Sequence, residues 1–136
     1  MAPRTVATAN VFVSLLLGGI GLIAPQAMAT AFGVTLDQTG EALARLACAS
    51  YVAFGVLAWL ARDLTDPGAW RVVAGASAVG WTLGAAVTAI GRASGLGGVQ
   101  GWLIVAIQVI FAVAWVLVYG RASSTSSTPI AQSART

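Results

Sequence analysis

Residues 70–91 read WRVVAGASAVGWTLGAAVTAIG. After Arg71 the run carries no charge until Arg92, and its length suits one crossing of the hydrocarbon, which takes roughly 20 apolar residues in a helix. Ala76, Gly80, Gly84 and Thr88 follow one another at i+4 steps with Trp81 beside them. That spacing puts the four in one line along a helix. In lipid, a line of small residues is a groove into which a neighbouring helix packs closely. The stretch therefore predicts the central helix of a membrane bundle, with Ala76, Gly80, Gly84 and Thr88 as its packing line.

Composition agrees with that reading. The chain has 136 residues, of which 58% are hydrophobic and 8% charged, too little polar surface for an ordinary water-soluble globule. Three further runs have spanning length, at residues 9–29, 42–61 and 99–119. The expected fold is all-α, an antiparallel up-down bundle of four transmembrane helices occupying residues 1–121. Residues 122–136 (ASSTSSTPIAQSART) lack apolar periodicity and read as a disordered cytoplasmic tail.

The first run has a second reading. Arg4, the apolar core from Val11 to Ile23 and Ala27-Met28-Ala29 match the plan of a cleavable secretory signal. A retained span is the preferred reading because Asn10, Ser14, Gly18, Gly21 and Pro25 share one side of a helical wheel, a polar and small face that a signal core does not need. In the second run Ala44, Ala47, Cys48, Tyr51, Gly55 and Ala58 share a face, and Glu41 with Arg45 form an i,i+4 pair at its start. Asp66-Pro67 is an N-cap followed by proline at the first helical position, which ends the turn before the third helix. Gly18 and Gly55 join the packing set. The glycine-rich segment 95–98 lacks a P-loop spacing or a preceding strand and reads as a flexible loop.

The seven basic residues are all arginine. Arg4, Arg62, Arg71, Arg121 and Arg135 fall at one side of the predicted bundle, and Arg45 and Arg92 at the other. The excess places both termini in the cytoplasm by the positive-inside rule. Scattered as they are, these charges form no nucleic-acid footprint.

The first-helix exit LIAPQAMATAFGV and the second-helix start GEALARLACASYVAFGVLAWLAR resemble the broad group of small four-helix bacterial membrane proteins that includes the DoxX-like proteins. Pro25, Phe32-Gly33 and Arg45 with Gly55 carry the likeness, over residues 5–121. It implies a four-helix bundle in the bacterial cytoplasmic membrane. Some members of the group are linked to redox or respiratory partners, but no cofactor motif is present here and no active site transfers.

The chain has no histidine, no lysine and one cysteine, Cys48. The usual proton shuttle, imidazole metal ligand and multi-cysteine zinc site are therefore missing. The helix interiors also lack Asp and Glu, so neither carboxylate acid–base chemistry nor an intramembrane proton relay is expected, and no catalytic residue, metal or cofactor is assigned. Tyr51, Trp81 and Gln108 lie at comparable depths in their helices and are the candidate ligand-binding residues, with Ser14, Ser50, Ser77 and Thr88 as possible companions. The expected function is a non-enzymatic membrane subunit or interaction module whose partners are membrane lipid, a second copy or a larger membrane complex. The alternative is a small-molecule or lipid carrier or channel. An open mid-membrane cavity reaching one surface would favour the carrier, and a solid interior with an exposed small-residue stripe the subunit.

Overall fold

The computed structural model describes residues 2–125, with side chains through Ala122. The fold is all-helical among these residues. It consists of α1 (Pro3–Ile23), α2 (Pro25–Ala31), α3 (Gln38–Ala61), α4 (Pro67–Ala93) and α5 (Gly101–Thr125). Four of these, α1, α3, α4 and α5, are long and apolar enough to cross a membrane. Their outer surface is what lipid favours: Phe12, Val72 and Val87 are each more than 70% exposed. In water such an apolar coat would be an aggregation surface. The first four residues of the expected disordered tail, 122–125, instead continue α5, and the part beyond residue 125 lies outside the described residues.

The helix boundaries follow local chemistry and correct the hydropathy-based spans. The first span is 3–23 rather than 9–29. Pro3 opens α1 in the first turn, where its missing N–H is no loss. Proline also disfavours helical geometry at the residue before it, and Ala24 accordingly leaves the helix with φ −134° and ψ 62° ahead of Pro25. The apolar run continues past this break as the separate short helix α2. α3 starts at Gln38, four residues before the expected 42, because the Asp37 carboxylate accepts from the Gly40 backbone N–H at 2.7 Å and caps the helix. Asp66 caps α4 in the same way, accepting from the Ala69 N–H at 2.6 Å with Pro67 at the first position.

The helices pack as two intimate pairs, α1 with α3 and α4 with α5, that meet each other more lightly. Glycine sets the α1–α3 approach. A Cβ on Gly18 would lie 2.9 Å from the Cys48 carbonyl oxygen, and one on Gly55 2.9 Å from Leu15 Cδ2. Only a residue without a side chain admits backbones so close. The α4–α5 seam is built differently. Trp70, Ala74, Ala78 and Trp81 of α4 interlock with Phe111, Ala112, Trp115 and Val118 of α5, and Val6 and Ala7 of α1 complete this core. Trp81 stacks on Phe111 with ring centroids 4.8 Å apart, and Trp70 on Trp115 at 6.4 Å.

One element of the expected packing line is corrected here. Ala76 is exposed, because the bulky Trp70 and Trp81 turn their own side of α4 into α5 and leave the Ala76 line off the seam. Gly80 and Gly84 on that line face Phe54 of α3 and Gln108 of α5. The Thr88 hydroxyl donates back to the Gly84 carbonyl of its own helix at 2.8 Å. The dense core thus lies on the α4–α5 side, and the line of small residues on α4 borders a gap toward α3.

Candidate functional site

That gap is a cavity of about 270 Å³ lined by Ala47, Ser50, Tyr51 and Phe54 of α3, Gly80, Trp81 and Gly84 of α4, and Gln108 of α5. It exists because α3 is committed to α1 through Gly18 and Gly55, and α4 to α5 through its indoles. Tyr51, Phe54 and Trp81 wall the space between the pairs without closing it. Tyr51, Trp81 and Gln108, the three candidate residues, all line it. The Gln108 amide donates to the Tyr51 hydroxyl at 2.7 Å, and the Tyr51 and Trp81 rings meet edge-on with centroids 5.7 Å apart. With its oxygen accepting from Gln108, the Tyr51 hydroxyl retains its own proton for donation.

Of the companion hydroxyls, Ser50 and Thr88 are bonded back to their own helices, Ser50 to the Leu46 carbonyl at 3.3 Å. Ser14 is fully buried off the cavity with no partner for its Oγ among the described residues. Gln108 is 3% exposed and its Oε1 has no hydrogen-bond partner among the described residues either. A buried acceptor left unpaired costs about 1–3 kcal/mol, and the Gln108 oxygen is closed off behind the cavity wall rather than presented to the cavity.

Sequence reasoning put Asn10 on the polar face of the first helix but gave it no role. It is the support of the site. Its Oδ1, buried at 1% exposure, accepts the Trp81 indole N–H at 2.7 Å and lies 3.5 Å from that of Trp115. One α1 side chain therefore fixes the indole that forms the cavity wall. The available signal was the amide itself, the one Asn in the chain, within an otherwise apolar span.

A second cavity of about 230 Å³ lies beneath α2, between Pro25, Met28 and Phe32 on one side and Ala44, Cys48, Tyr51, Thr88 and Arg92 on the other. Tyr51 is common to both cavities. On α4, Gly84 of the first is one turn from Thr88 of the second, so the two cavities are neighbours that share the Tyr51 side chain as a wall. The glycine-rich segment is not a free spacer. Gly97 and Gly101 pack directly on the Arg92 guanidinium, where a Cβ at either would collide with it. The Gly98 carbonyl accepts from Arg92 Nη1 at 3.3 Å, and the Gly98 N–H donates to the Phe32 carbonyl at 2.8 Å. Gly97 holds φ at +72°, a conformation few other residues adopt. The glycines form a clasp that turns Arg92 inward.

Glu41 and Arg45 do not join it. They pair with each other at 3.3 Å at the start of α3, and neither lines the cavity that holds Arg92. Comparison of the chain with family models, with curated proteins and with solved structures finds no match.

Proposed function

We propose that this protein is a membrane-embedded binding or carrier protein for a small, mostly apolar molecule that enters from the bilayer between α3 and α4. The observation that carries this reading is the mid-span cavity walled by Tyr51, Phe54, Trp81 and Gln108. Its aromatic walls supply apolar contact, and the Tyr51–Gln108 pair supplies the few orienting hydrogen bonds that ligand sites combine with such walls. A packing module would bring its small-residue lines into helix contact. Here Gly84 meets no α3 atom and borders the cavity, while Gly80 packs against the Phe54 ring.

The setting that accompanies this reading is the bacterial cytoplasmic membrane, with four spans in up-down antiparallel order and both termini inside. The arginine distribution supports the orientation, and the short connection between α3 and α4 supports the order. Interfacial aromatics agree: the Arg62 guanidinium lies 3.3 Å from the Trp59 ring centroid, and Arg71 Nε is 3.4 Å from the Tyr119 hydroxyl. These are the anchoring pairs expected where a span meets the headgroups.

Titrating bromobenzene into the detergent-solubilised protein tests the cavity. Quenching should contain a saturable component from Trp81, in addition to the linear quenching of lipid-facing indoles such as Trp102. Trp81→Phe should remove the saturable component. Gly84→Leu should also remove it while leaving the bundle assembled, because a Cβ there meets only the movable Gln108 amide at 3.1 Å. Linear quenching alone in the wild-type protein would refute the reading.

A further inference from the structure

We propose that the two cavities together hold one molecule of a single-chain carboxylate lipid, its head group on Arg92 and its alkyl chain laid along the α3–α4 side past Tyr51 toward Trp81. This inference rests on the mid-span cavity being a ligand site, and it names the ligand class. Arg92 forms no ion pair among the described residues, where Arg45 and Arg62 each have a carboxylate partner. Its Nε is buried without a hydrogen-bond partner, and Nη1 has only the long contact to the Gly98 carbonyl. Arg92 is half-buried, with its Nε closed off from solvent, and it lines an apolar cavity, so an anion there would complete a charge that no carboxylate among the described residues neutralises. The glycine clasp at Gly97 and Gly101 holds it there against the alternative of extending into water.

Shape supplies the second argument. At about 230 and 270 Å³, each cavity falls short of the roughly 300–1,000 Å³ typical of a ligand site. As neighbours that share Tyr51 as a wall, the two would together take an elongated molecule that passes beside that ring. Depth supplies the third. Arg92 is in the last turn of α4, where a span reaches the headgroup region, and Gly84 and Gly80 lie two and three turns further in. The charge is thus at the water-facing end and the apolar walls are at the hydrocarbon end, the polarity of an amphiphile resting in a bilayer.

The test uses the full chain in phosphatidylcholine nanodiscs and a palmitate analogue bearing a diazirine at the chain end, with labelled peptides located by mass spectrometry. Labelling should be saturable and fall on the cavity-lining residues of α3 and α4. Unlabelled palmitate should compete at least about tenfold more potently than hexadecanol or hexadecylamine, the factor expected of one charge-assisted contact. A large excess of acetate should not compete. Arg92→Gln should reduce the palmitate preference to about twofold or less, and Arg92→Lys should keep most of it.

Equal competition by palmitate and hexadecanol in the wild-type protein would overturn the head-group assignment while leaving the cavity as a site for neutral molecules. Effective competition by acetate would also overturn it, in favour of a free-anion site at Arg92. Unsaturable labelling by every probe, unchanged in Gly84→Leu, would overturn both this inference and the cavity reading beneath it.

Discussion

Gly18→Leu should disrupt the α1–α3 pair, whereas the same substitution at Gly19 should be tolerated. A Cβ at position 18 would stand 2.9 Å from both the Cys48 carbonyl oxygen and Val52 Cγ2, and 3.0 Å from Tyr51 Cβ. The first of these is backbone, so no side-chain rotation relieves it. Overpacking a core costs about 1–3 kcal/mol where side chains can yield, and occasionally more; with a rigid carbonyl in the way the upper end or beyond is expected. A Cβ on Gly19 meets nothing within 4 Å. There leucine gains helix propensity and faces lipid. Size-exclusion profiles and thermal unfolding in mild detergent check the pair: loss of the monodisperse peak in Gly18→Leu, and little change in Gly19→Leu. Equal tolerance of both would show that α1 and α3 are not joined through this contact.

Asn10→Leu is the second substitution with a large expected effect. It keeps the side-chain bulk but takes the acceptor from the Trp81 indole N–H, bonded at 2.7 Å in a region closed to water. Interhelical hydrogen bonds in membrane proteins contribute about 0.6 kcal/mol on average. Stranding a buried donor costs more, about 1–3 kcal/mol, and the second figure applies because the variant leaves the N–H in place. A double-mutant cycle separates the two effects. Trp81→Phe removes the donor, so the combined Asn10→Leu/Trp81→Phe protein should be less destabilised than the sum of its single variants. Strict additivity would mean that the two side chains do not interact.

The features legible in the sequence were those written in local chemistry. Asp66-Pro67 marks the start of α4 because a cap and a proline are decipherable over a few residues. The wheel through Asn10, Ser14 and Gly18 separates Gly18 from Gly19, which composition alone cannot do. Tyr51, Trp81 and Gln108 stood out as large side chains with polar groups at similar depth, and they line one cavity.

The misplaced features depend on partners far along the chain or on backbone geometry that hydropathy does not register. Asp37 caps α3 although the residues after it, Gln38, Thr39 and Gly40, look like a loop. The Ala76 line was identifiable from its period, but which neighbour it meets is decided by the two indoles that turn α4 toward α5. Asn10 is 71 residues from Trp81 and 105 from Trp115, so no local pattern links them. The segment 95–98 reads as flexible until the fold brings Arg92 and Phe32 against it.

The central claim is that α3 and α4 enclose a ligand-accessible cavity at mid-span, and site-mapped photolabelling with a neutral phenyl diazirine in nanodiscs tests it most directly. The account predicts saturable labelling centred on the peptides that carry Tyr51 and Trp81, abolished by Gly84→Leu. Labelling that never saturates, spreads over lipid-facing positions such as Phe12 and Val87, and is unchanged by Gly84→Leu would contradict it.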